Sequence, residues 1–140
     1  MKKEREKGFS LIELLVVVAI IGIIASLAIP FLQKAIRASE NGATFATMRS
    51  VASTQMNFYS QRNRFGRLAE VNNILSGSIG TNSGPQINRG KFVLSMEPAT
   101  PTDTELRDRY TIRATRNVAG EGVIYTYEIT QQGDIRQISP

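Results

Sequence analysis

Between Phe9 and Leu32 the chain reads FSLIELLVVVAIIGIIASLAIPFL, 24 residues in which only Ser10, Glu13 and Ser26 are polar. Wound as a helix, such a run is about 36 Å long at a rise of about 1.5 Å per residue, enough to cross a hydrocarbon core of roughly 30 Å. Its Leu, Ile, Val and Ala fall on every side of the helix, so it needs apolar surroundings all round. A chain of 140 residues builds one small core and cannot bury it. Ahead of the run stand Lys2, Lys3, Arg5 and Lys7 against Glu4 and Glu6. The positive-inside bias then places the N-terminus in the cytoplasm and everything from about Gln33 outside. A plain signal anchor is one reading of this pattern. A secretory signal fits less well, because its apolar region is about 7 to 15 residues and ends at a small-residue cleavage site. Glu13 is the anomaly, since a carboxylate in a membrane helix costs a few kcal/mol unless it is near the end or paired.

Composition narrows the chemistry. There is no Cys and no His, which removes disulfides, thiolate ligands and the commonest zinc ligand and general base. No Ser/His/Asp, Cys/His or paired-carboxylate constellation can be assembled, so the chain is not expected to be an enzyme, and no cofactor or metal is expected. Lys plus Arg number 17 against 12 Asp plus Glu, a formal charge of +5, and without the leader +3. That mildly basic remainder lacks the clustering of a nucleic-acid binder.

The stretch Lys7-Gly8-Phe9-Ser10-Leu11-Ile12-Glu13 at the head of the apolar run resembles the class III signal of type IV pilins and pseudopilins. A basic leader ends in Gly8, an aromatic residue follows at Phe9, Glu13 stands four positions later, and Pro30 lies late in the apolar run. The resemblance covers about the first 30 residues. It implies that a prepilin peptidase cuts between Gly8 and Phe9 and methylates the new amine of Phe9. A residue without Cβ at Gly8 suits a narrow protease cleft. Glu13 would then pair with that amine, in its own chain or a neighbour's, and a misregistered subunit would leave both charges unpaired in an apolar filament. Gly22 and Pro30 would kink the helix or mark a segment that melts and lengthens in the filament; simple tolerance of Gly and Pro in membrane helices is the alternative. The expected partners are further copies of the chain, the peptidase, an assembly ATPase and an inner-membrane platform protein. The expected location is a single-pass inner-membrane precursor and then an extracellular pilus. A pseudopilin of a type II secretion or competence system and a membrane-tethered binding module remain the alternatives.

The rest of the chain reads as an α+β domain. Phe45, Met48, Ala52, Met56 and Tyr59 recur at helical spacing, so one helix is expected from residue 9 or 10 to about 61, with 9–32 as the anchor and 33–61 amphipathic. Residues 62–90 hold five of the eleven Gly and read as a long loop with a short helical turn at 68–75. Their glycines do not form a phosphate-binding pattern. From Lys91 the period becomes two. The runs KFVLSM, RYTIRAT, GVIYTYEIT and GDIRQIS predict an antiparallel meander of three or four strands over 91–140, packed on the helix stripe, with QQGD as a tight turn. The pilin resemblance implies the same fold. Asp103, Glu105 and Asp108 are interleaved with Arg107 and Arg109 and read as a solvated loop before a calcium site. Arg62, Arg64 and Arg67 read as surface or inter-subunit cations, with DNA phosphate as the lesser alternative. Phe58, Tyr59 and Phe65 read as core or contact aromatics.

Overall fold

The computed structural model describes residues 8–117 and 124–139. The leader up to Lys7 and the expected strand residue Val123 lie outside these residues. The chain divides into two compact units, Met1–Asn41 and Gly42–Pro140, and helix α1 (Leu11–Arg62) contributes to both. Helical conformation continues through Pro30 and Gly42.

In the first unit the apolar side chains of α1 stay exposed all round, as the absence of a stripe dictates. This is a helix long and apolar enough to cross a membrane.

In the second unit α1 is followed by α2 (Leu68–Ile74), β1 (Thr81–Ser83), β2 (Gln86–Arg89), β3 (Phe92–Met96), α3 (Glu105–Asp108), β4 (Thr111–Asn117), β5 (Ile124–Thr130) and β6 (Ile135–Ser139). The strands form one antiparallel sheet in sequential order. The expected α+β architecture is therefore present, with six strands in place of three or four. The extra strands fall in the stretch 62–90 that reads as a loop. Thr81↔Asn88 and Ser83↔Gln86 pair across a turn with Gly84 at φ +60°. Of these two strands only Ile87 is buried, so no alternation marks them. The sheet thus begins at Thr81 and not at 91.

Period two serves well further on. Tyr110, Ile112 and Ala114 are buried while Thr111, Arg113 and Thr115 are half-exposed. Gly133 closes the turn before β6, donating its N–H to the Thr130 carbonyl at 2.9 Å with φ +81°. The core joins Met48 and Val51 of α1 to Phe65, Leu68, Val71, Leu94, Ile112 and Ile129. The buried face of α1 runs through Thr44, Met48, Val51, Gln55 and Phe58. That stripe is rotated from the apolar one expected: Phe45 and Ala52 pack at its margin, but Met56 is 58% exposed and Tyr59 36%.

Candidate functional site

The residues that carry the N-terminal resemblance are Gly8, Phe9 and Glu13. Gly8, Phe9 and Ser10 are exposed and lie ahead of the helix. The first helical hydrogen bond runs from Leu14 N to the Ser10 carbonyl at 3.2 Å, so Ser10 is the N-cap. Glu13 is the third residue of the helix, and its Oε2 accepts the Ser10 backbone N–H at 2.9 Å. This is the returning half of a capping box, which satisfies one orphan donor and puts negative charge at the positive end of the helix. The S-x-x-E spacing of Ser10 and Glu13 announces it, and sequence reasoning centred on the Phe9 amine passed over it. Oε1 of Glu13 has no partner among the described residues. Beside it Phe9, Ile12, Val16 and Val17 line a shallow groove of about 340 Å³.

The same device recurs twice. Glu70 Oε2 accepts Arg67 N at 2.8 Å at the start of α2, and Glu105 Oε2 accepts Thr102 N at 2.8 Å just before α3. Each carboxylate sits three residues after its donor and shapes the chain locally, before any tertiary contact.

Gly22 and Pro30 lie within α1, and a Cβ built on Gly22 meets nothing within 4 Å. Packing in the single chain therefore does not demand glycine there. Ser26, whose carbonyl Pro30 leaves without its usual donor, turns its hydroxyl back to the Ile23 carbonyl at 2.7 Å.

Of the arginines that read as surface or inter-subunit cations, two are spent inside the subunit. Arg64 makes a bidentate pair with Glu70, at 2.9 and 2.8 Å, and Arg67 Nη2 meets Asp103 at 2.7 Å. The Arg64 guanidinium holds the Glu70 carboxyl well below its ordinary 4.5, at about 2, with the Arg67 N–H adding to the effect. The network ties the end of α1 to α2 and to the segment before α3. Arg62 lies 5.3 Å from the centroid of the Phe58 ring. Asp103 is drawn into these pairs and Glu105 into capping, and among the described residues no group of three or more Asp or Glu side chains converges as a metal site would need. Phe58 and Phe65 are buried, and Tyr59 rests against Phe65 with ring centroids 4.7 Å apart.

Two polar side chains missed by apolar periodicity hold the segment after α1. The carboxamide of Gln55, fully buried, grips Gly66 at both its N–H (2.7 Å) and its carbonyl (2.8 Å). Buried Asn72 accepts Ile79 N at 3.1 Å and donates to the Gly80 carbonyl at 3.0 Å. A long-range partner of this kind leaves no spacing signal in a single sequence.

Residues 3–29 match the family described as the prokaryotic N-terminal methylation motif. The chain is 38% identical over 65 residues to the type IV major pilin protein PilA of Myxococcus xanthus (strain DK1622), covering 46% of this chain and 30% of that protein. It is 32% identical over 88 residues to the fimbrial protein EcpC of Eikenella corrodens, covering 63% of this chain and 55% of that one. The matches thus span about a third and about half of the lengths of these relatives. No solved structure matches. The motif includes Gly8, Phe9 and Glu13, and with these two similarities it identifies the N-terminus as a class III prepilin signal.

Proposed function

We propose that this chain is a structural subunit of a type IV pilus: a membrane precursor cut between Gly8 and Phe9, N-methylated on Phe9 and polymerised through the apolar half of α1. The observation that carries the reading is Glu13. Its Oε2 is held by Ser10 of its own chain, while Oε1 has no partner among the described residues and lies beside an apolar groove lined by Phe9. A new amine at Phe9 of a neighbouring copy supplies the charge that Oε1 lacks, and the groove accepts an aromatic ring. Leaving lipid for a bundle of equally apolar helices exchanges one hydrocarbon environment for another, so register must come from the few polar groups. A peptidase, an assembly ATPase and a platform protein are the partners this scheme requires.

Two substitutions divide the scheme into steps. Gly8→Leu should leave the precursor uncut, read by mass spectrometry as a chain still carrying residues 1–8. Glu13→Ala should give a chain that inserts and is cut to begin at Phe9, but sheared filament yield should fall by at least tenfold. Unchanged yield from Glu13→Ala removes Glu13 from assembly. A cut chain that stays entirely with membranes after shearing favours the tethered binding module, and short periplasmic assemblies tied to secretion favour the pseudopilin.

A further inference from the structure

We infer that Lys34 docks the precursor on the anionic phosphates of the outer lipid leaflet, so that Glu13 and Lys34 bracket the hydrocarbon core and set the depth of α1. The inference rests on the membrane reading above. Glu13 and Lys34 are 21 positions apart with no Asp, Glu, Lys or Arg between them. At the helical rise of about 1.5 Å per residue this is about 32 Å, against a core of roughly 30 Å. The rise applies along the whole interval because α1 remains helical through Pro30. Lys34 is exposed and has no hydrogen-bond or ion-pair partner among the described residues. Its long apolar stem lets the ammonium reach outward to phosphate, and Arg37 adds positive charge almost one turn further out. At the other end the Ser10 N–H already satisfies part of the Glu13 carboxylate, which eases its stay at headgroup level.

Depth distinguishes this arrangement from hydropathy alone. The apolar run 9–32 has its middle between Ile20 and Ile21, whereas the bracketed interval has its middle between Ile23 and Ile24. The difference is about 4–5 Å along a helix.

The chain has no Cys, so single cysteines carrying a nitroxide can be introduced one at a time from position 12 to position 40. The full precursor is placed in vesicles of phosphatidylcholine and phosphatidylglycerol, and label depth is read from relative accessibility to oxygen and to a nickel chelate. The deepest label is expected between positions 23 and 24. Lys34→Ala leaves Arg37 as the next charge outward, so the middle of the uncharged interval becomes position 25 and the deepest label should move one or two positions toward the C-terminus, whereas Lys34→Arg should leave it in place. A deepest label at positions 20–21 in the unaltered chain overturns the inference, as does a profile that Lys34→Ala leaves unmoved. A chain whose labels all remain in water overturns the membrane reading itself, which separates the two failures.

Discussion

Gln55 bonds both the N–H and the carbonyl of Gly66 from a fully buried position, in effect acting as a piece of backbone. Removing it strands two buried peptide groups, and each unsatisfied group costs about 1–3 kcal/mol. Gln55→Leu should therefore lower stability by about 2–4 kcal/mol in denaturant titration of the full chain in detergent, a loss comparable to truncating a buried apolar side chain. Glu70 offers a pH test. Its folded pKa, about 2, lies below its ordinary 4.5, so its contribution is present above about pH 4.5 and is lost as pH falls toward 2. The side chain is 31% exposed, and solvent screening reduces the contribution to about 1–2 kcal/mol. Melting followed between pH 5 and pH 2 should show this loss in the unaltered chain and not in Glu70→Gln, which starts lower. Arg64→Met should mimic Glu70→Gln at neutral pH.

At the scale of elements, α1 is one helix with two environments. Where its side chains are apolar all round, only backbone hydrogen bonds and surroundings support it, and Pro30 removes one of those bonds at the Ser26 carbonyl. Gly22 lowers helical preference by about 1 kcal/mol relative to Ala. In filaments of the proposed kind the amides of residues 22–29 should exchange hydrogen faster than those of 11–20, and Pro30→Ala should slow them by at least tenfold. Equal exchange along the whole of α1 would show that Gly22 and Pro30 are merely tolerated. In the sheet, β1 and β2 depend on the turn at Gly84 and on Gly80, whose φ is +154° and where a Cβ would collide with the Asn88 carbonyl oxygen. The hairpin is held by glycine geometry, by Asn72 and by the single buried side chain of Ile87, with no apolar face of its own.

For the molecule as a whole, legibility in the sequence followed the physics of each part. The long helix was readable because an apolar run of that length has few solutions, and β4 and β5 because one face is buried and the other is not. The hairpin at 81–89 was not, since Ile87 is its only buried residue and a single apolar position sets up no alternation. The rotated stripe on α1 escaped because Thr44 and Gln55 occupy core positions that a count of apolar residues skips, while Met56 and Tyr59 are apolar and largely outside. Of the N-terminal site, the leader, Gly8, Phe9 and Glu13 were legible as a motif, but the bond from Ser10 to Glu13 was visible only as an S-x-x-E spacing that the apolar context obscured. That bond has a mechanical consequence. The helix is already finished at Leu11, so hydrolysis between Gly8 and Phe9 needs no turn of helix to be unwound. In the proposed processing, the cut would leave a two-residue overhang, Phe9 and Ser10, on which an amine would be exposed and methylated while fraying is stopped at the first turn behind it.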